Sequence, residues 1–271
     1  NVIAQLGTKR SFHTPAIVGV VEVENLLVLN DLVASKNLKN HNYGIVHYDS
    51  PDERGIDVAL LYKKELFELI HSEIFPLYLE GENGDRDYTR DVLLVKGNLN
   101  NEEIHILVNH WPSRRRGENS TEEKRVKAAE LVVSIVEKIS AETENAKIII
   151  MGDFNDNPAD RSIKPILKTV SNKSKVKRNE LFNPTEKLFI KGFGSYNYRG
   201  KWDMLDQFMI SSELLKNSGH FFLKAGIFNE KYLINQGGKY EGYPFKSFAG
   251  GKFLGGYSDH FPIYMLLAKE L

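Results

Sequence analysis

The sequence predicts an α+β fold: two packed sheets with helices outside, in a single domain spanning residues 1–271. Three observations predict it. Short apolar, β-branched runs recur along the whole chain, whereas helical periodicity is confined to early and middle stretches. No repeat and no linker splits the chain. Polar clusters sit where the apolar runs end, in both halves.

In order, residues 1–6 have helical spacing at Val2, Ile3 and Leu6 with Gly7 as a stop. They read as the end of a helix whose upstream part lies outside this sequence. Residues 16–21 form an apolar strand running into Glu22, with Glu24 or Asn25 as the cap of the next helix. Leu26, Leu27, Leu29, Leu32 and Val33 give that helix its apolar face. On this local reading Glu22 is either a functional carboxylate or simply exposed. Residues 43–48 read as a strand. A polar turn at 50–55 leads to a buried strand at 57–62 that begins with Asp57, an acid costly to bury without a partner. Residues 67–77 read as a further strand. Residues 90–99 and 103–109 alternate as a strand pair.

That pair ends in Asn109-His110-Trp111-Pro112-Ser113-Arg114-Arg115-Arg116-Gly117. Histidine and arginine forks suit phosphate oxygens; the plain alternative is a basic surface loop over a packed histidine. A long helix follows, capped by Ser120 or Thr121, with Val126, Ala129, Val132, Val133, Val136 and Ile139 as its apolar stripe. Next comes Lys147-Ile148-Ile149-Ile150-Met151-Gly152-Asp153-Phe154-Asn155-Asp156-Asn157-Pro158. Its apolar part suits a strand buried on both faces. Asp153 and Asn155, two apart, point the same way in extended backbone. Such a pair can hold a water or a metal-bound oxygen, or can be an Asx-rich turn. Residues 161–170 are expected as a short helix and 171–179 as a lysine-rich mobile loop. Residues 194–203, rich in aromatics and glycine, are either a half-buried strand pair or a stacking wall carrying Tyr196, Tyr198 and Trp202. Residues 204–211 end as a strand. Residues 221–253 lack periodicity and are expected as long loops. Tyr257-Ser258-Asp259-His260 then enters a last strand at 263–267, and an Asp-His pair there suits general-base work.

Composition narrows the chemistry. Lys+Arg and Asp+Glu are both 36, so no global basic field draws the protein to nucleic acid. There is no cysteine, so disulfides and thiolate chemistry are excluded, and any metal must sit on oxygen or imidazole. No run is long enough to span a membrane.

Taken together, Glu22, Arg90, His110, Asp153 with Asn155, Asp206, and Asp259 with His260 all adjoin expected core strands. The set resembles the endonuclease/exonuclease/phosphatase superfamily. It rests on five motifs in the family's order: Ile17-Val18-Gly19-Val20-Val21-Glu22, Asn109-His110-Trp111-Pro112-Ser113, Gly152-Asp153-Phe154-Asn155, Leu205-Asp206-Gln207-Phe208 and Ser258-Asp259-His260. The wider wording is similar to a bacterial branch with poorly defined substrates.

The resemblance implies a deoxyribonuclease I-like α/β/β/α sandwich of two mainly antiparallel sheets. It implies phosphodiester hydrolysis with Mg2+ or Mn2+, foremost by a nuclease. The alternatives are a phosphatase or phosphodiesterase acting on a lipid or small-molecule phosphate, and a non-catalytic binding protein on the same fold. Glu22 and Asp259 are then the metal residues. Asp206 holds His260, Asp153 and Asn155 position a water or leaving oxygen, and His110, Arg90 and Asn155 face the phosphoryl group. Asp57 is a candidate partner for His110, and Arg114, Tyr196 and Trp202 are candidate substrate contacts. The partner expected is a phosphodiester, nucleic acid included, for a monomeric enzyme; an extracytoplasmic bacterial setting follows from the resemblance alone. One departure is expected: the family opens with an asparagine-bearing strand and a full helix before the glutamate strand, and Asn1 lies too close to Glu22 for both.

Overall fold

The computed structural model describes residues 1–271 except Phe12, Glu82, Arg115, Arg116 and Leu271. In chain order the helices are α1 (Val2–Gln5), α2 (Thr8–Ser11), α3 (Leu26–Ala34), α4 (Glu118–Glu142) and α5 (Glu186–Ile190). The strands of the first half are β1 (Ile17–Val23), β2 (Tyr43–His47), β3 (Asp57–Lys63), β4 (Phe67–Phe75), β5 (Leu79–Glu80), β6 (Arg86–Asp87), β7 (Val92–Leu99) and β8 (Glu102–His110). Those of the second half are β9 (Ile148–Asp153), β10 (Thr169–Val170), β11 (Leu181–Phe182), β12 (Tyr196–Tyr198), β13 (Lys201–Asp203), β14 (Asp206–Ser211), β15 (His220–Ile227), β16 (Phe248–Ala249), β17 (Lys252–Phe253) and β18 (Ile263–Lys269).

The alternation of β9 explains the layers. Ile148 and Ile150 turn to one face of a seven-stranded sheet, where they meet Ala128, Ala129, Val132 and Ile135 of α4. Ile149 and Met151 turn to the other face and pack with Val58, Leu60 and Phe208. A strand apolar on both faces is what a sheet covered on both sides requires. The large sheet runs β10-β11-β14-β9-β8-β7-β4, parallel at β8–β9 and β10–β11 and antiparallel elsewhere. Its inner face meets two smaller antiparallel sheets, β1-β3-β2 and β15–β18. The outer face of β1-β3-β2 is covered by Leu29 and Leu32 of α3 and by Ile3 and Ala4 of α1. This is the four-layer deoxyribonuclease I-like sandwich.

The layers position a cleft. β1 and β18 each lie at the end of their sheet, and between them opens a cavity of about 1560 Å³ floored by Ile106, Ile149, Met151 and Phe208. The strand ends that carry His110, Asp153 and Asp206 line the same cavity.

Several expectations are corrected. α4 starts at Glu118 with Gly117 as its cap, not at Ser120 or Thr121. Thr121 Oγ1 instead donates back to the Gly117 carbonyl at 2.8 Å and accepts from Arg125 at 2.6 Å, so it is engaged inside the helix. Residues 161–170 hold a single π-helical turn at Ser162–Ile166, interrupted by Pro165, and then the short β10. Residues 221–253 are not all loop. They contain most of β15, whose period of two is broken by a bulge between Phe222 and Lys224, and the β16–β17 hairpin. The bulge is what hides the strand from pattern reading.

Candidate active site

Strand register puts the polar residues side by side. In the parallel β8–β9 pair His110 stands beside Asp153, and in the antiparallel β9–β14 pair Asp153 stands beside Asp206. Asp153 has the parity of Ile149 and Met151, so it emerges on the inner face beneath the cleft. Gly152 makes this register possible. Its φ is 139°, and a Cβ there would meet the Asn109 carbonyl oxygen at 1.9 Å. The fourth member comes from the loop before β18: an isolated bridge between Tyr196 and His260 brings the imidazole in, and the two rings lie 4.8 Å apart.

His260 Nδ1 donates to Asp206 Oδ2 at 2.7 Å. The Asp206 amide donates to Ser195 Oγ at 3.1 Å, and the His260 amide to Ser258 Oγ at 3.1 Å. Asp153, Asp206 and His260 each offer an atom within 4.8 Å of the others. Asn155 lies in the left-handed region at φ 51°, which asparagine tolerates. Its amide donates to Asp153 Oδ1 at 2.9 Å and its side chain to the Trp111 carbonyl at 3.0 Å. His110 Nε2 is 3.7 Å from Asp153 Oδ2, and its buried Nδ1 has no partner among the described residues.

The electrostatics divide the groups. Burial opposes the His260 cation, but the Asp206 carboxylate, by charge and hydrogen bond, with Asp153 and Asp259 behind it, holds the ring up at about 10. Burial pushes the Asp153 carboxyl up to about 6; the His260 cation draws it down and Asp206 raises it. Burial, with Arg90, Arg54 and His260 adding positive charge nearby, holds His110 well below the ordinary histidine range. At neutral pH the site therefore presents an ionised Asp153, a cationic His260 and a neutral His110.

The remaining expected residues divide. Glu22 lines the cleft from a bulge in β1 at φ 58°, its side chain 56% exposed and 3.4 Å from Arg54. Asp259 lines it too, 47% exposed and 3.6 Å from Lys246. Tyr196 lines the wall beside His260. Three expectations are corrected and a fourth, Arg114, is qualified. Arg90 is buried and does not line the cleft: it donates to Asp52 at 2.8 Å and to the carbonyls of His110 at 3.2 Å and Trp111 at 2.6 Å. Asp57 is not the partner of His110, because it accepts from His47 at 2.9 Å and from Ser50 twice at 2.8 Å. Arg114 lines the cleft, as a substrate contact would, but it is also tied to the Asn155 carbonyl, Asp156 and Asp160 and so braces the Asn155 turn. Arg115 and Arg116 lie outside the described residues. Trp202 has the opposite parity to Tyr196 and stacks on Phe261, 5.8 Å between rings, away from the cleft.

Sequence reasoning missed Arg54 and Lys246 at the cleft and Ser195 behind Asp206. Lys246 stands in a loop with no local signature, whereas Arg54 and Ser195 sat inside the polar turn and the aromatic-rich stretch already singled out. It also missed Asn157, which accepts from the Met204 amide and donates to Asp203, both at 2.8 Å, and so ties the Asp153 turn to β13.

Glu22, Asp259, Asp153 and Asn155 supply oxygen donors around one open cleft. A hard divalent cation fits this donor set better than a softer metal.

A two-sheet sandwich with this carboxylate, amide and imidazole cluster defines a hydrolase acting on phosphoester bonds. The model of the endonuclease/exonuclease/phosphatase family matches residues 1–269, and the chain belongs to that family. No curated protein matches it. Among solved structures it is similar to the mannosyl-6-phosphatase of Bacteroides thetaiotaomicron, with TM-score 0.62 and 18% identity over 98% of this chain and 89% of that one. It is similar also to D. rerio TDP2 complexed with single strand DNA product, with TM-score 0.61 and 15% identity over 98% and 91% of the two chains. The human Nocturnin catalytic domain with bound sulfate gives TM-score 0.55 and 16% identity over 78% and 72%. At these identities the likeness is one of fold.

Proposed function

We propose that the protein is a divalent-metal-dependent phosphodiesterase acting on nucleic acid as a monomer. The observation that carries the reading is the placing of Asp153 between His110 and the Asp206–His260 pair. Glu22 and Asp259 would hold Mg2+ or Mn2+. When bound, the ion supplies charge neutralisation at the phosphoryl oxygens. Asp153 takes the proton of the attacking water, and Asn155 holds that carboxylate in place through its backbone amide. His260, kept cationic by Asp206, faces the charge that develops on the phosphoryl group. His110 is neutral and hydrogen-bonds a phosphoryl oxygen.

The similarity to a structure with a single-strand DNA product supports nucleic acid. Zero net charge disfavours long duplexes, whose binding depends on phosphate neutralisation. The second reading is a sugar phosphatase, favoured by the likeness to the mannosyl-6-phosphatase.

The test is hydrolysis of bis-p-nitrophenyl phosphate, single-stranded DNA, RNA, plasmid DNA and mannose 6-phosphate with Mg2+ or Mn2+. Cleavage of the nucleic acids, abolished by chelator and by Asp153→Ala, is expected. Turnover of mannose 6-phosphate alone selects the second reading, and no turnover of any substrate overturns both.

A further inference from the structure

The loop before the Ser258-Asp259-His260 motif builds a hairpin that the chemistry above does not use. In β16–β17, Phe248 is register-paired with Phe253, and Gly250-Gly251 form the two-residue turn, both at positive φ. That conformation suits a type I′ hairpin. The two phenylalanine rings lie 5.2 Å apart and are 58% and 67% exposed. Among the described residues nothing covers them, yet the hairpin's base is fixed. Leu254 N donates to Ser247 O at 2.8 Å, Tyr257 N to Phe245 O at 2.7 Å, and Ser247 Oγ to Tyr257 O at 2.8 Å. A Cβ on Gly256 would meet Phe245 O at 2.1 Å, so the two arms cross at the closest approach glycine allows.

The base is anchored at the catalytic cluster. Lys246 lies over the Tyr196 ring at 5.7 Å and 3.6 Å from Asp259, and Tyr196 lies against His260. The cavity has aliphatic side chains along its floor, Ile106, Ile149 and Met151 among them, but Tyr196, Tyr257 and Phe248, the lining residues on the His260 wall and on the hairpin tied to it, are aromatic. Flat rings with a lysine among them suit a planar heterocycle better than an acyl chain.

We propose that Phe248, with Phe253 behind it, is the specificity-determining residue that stacks a nucleobase of the phosphate ester held at Asp153 and His260. The proposal rests on the phosphoesterase reading and names its substrate class. Base stacking on an aromatic side chain is sequence-tolerant, because every base has a π-face.

The experiment is calorimetric titration with adenosine 5′-monophosphate and with ribose 5-phosphate, in calcium, an oxygen-binding ion offered in place of magnesium to limit turnover. The chain as described should bind the nucleotide about tenfold more tightly, a difference of about 1.4 kcal/mol. Phe248→Ala should bring the ratio near one, and Phe248→Trp should restore it. A wild-type ratio near one, no binding of either ligand, or a ratio unchanged in Phe248→Ala overturns the proposal. So does tighter binding of dioctanoyl phosphatidic acid than of the nucleotide, which would assign the rings to an acyl chain. The two readings fail separately. Hydrolysis of bis-p-nitrophenyl phosphate without a base preference leaves the phosphoesterase standing, and a base preference without hydrolysis leaves the stacking site standing.

Discussion

His260 Nδ1 lies 2.7 Å from Asp206 Oδ2 across 54 positions of sequence. β14 sets this contact, because the register that pairs Asp206 with Asp153 also aims its carboxylate at the loop before β18. One carboxylate therefore governs the charge of the histidine and, through it, the proton affinity of Asp153.

Asp206→Asn should lower kcat/KM by about 10²-fold or more, the usual size of a lost acid–base or orienting group. The amide keeps the shape and loses the charge. Burial then dominates at His260, whose pKa falls from about 10. The alkaline limb of the pH–rate profile should move toward neutrality by more than about one unit. A profile that keeps its alkaline limb would show that Asp206 does not set the ionisation.

The wild-type profile itself should rise through about pH 6, as Asp153 ionises, and fall near pH 10, as His260 loses its proton. Stability follows the same groups without turnover. Both pKa values are raised, so both contributions are lost as pH rises. That of Asp153 is lost between its ordinary 3.8 and about 6, and that of His260 between its ordinary 6.5 and about 10. Thermal melts across pH 6.5–10 should decline for the wild type and flatten for Asp206→Asn.

Arg90→Met should destabilise the fold by about 3–5 kcal/mol in urea titration, since it removes the buried ion pair with Asp52, whose Oδ2 loses its 2.8 Å donor while Arg54 reaches only the other oxygen. The carbonyls of His110 and Trp111 each lose a donor as well, Trp111 keeping the one from Asn155. A variant of normal stability with a raised KM would return Arg90 to the phosphate.

Gly152→Ala should cost about 3 kcal/mol or more, because the added methyl meets the Asn109 carbonyl and the backbone is in a region alanine avoids. Activity should fall with it, since the same register seats Asp153 between its neighbours. A melting temperature within a few degrees of wild type would refute the close approach.

Most of the layer order was legible because burial on both faces leaves an unbroken apolar run, as at Ile148–Ile150, and a shared sheet gathers the strand ends. Side-chain commitment was not legible. Arg90 and Arg114 read as phosphate ligands from residue type, but carboxylates brought near by folding occupy their guanidinium groups. Trp202 read as a wall residue because parity within so short a hairpin cannot be assigned before the register is known. Asp57 found a histidine, His47, through the β2–β3 pair and not the histidine that motif logic offered.

Glu22 sits in the bulge of β1 at φ 58°, where a glutamate costs about 1–2 kcal/mol relative to extended or helical backbone. The bulge that imposes this turn also swings the carboxylate into the cleft. Position 22 thus sets two selections against each other. Libraries screened for heat resistance alone should enrich glycine or asparagine there, and libraries screened for turnover should keep glutamate. The residue that survives at this one codon reports which pressure shaped the population.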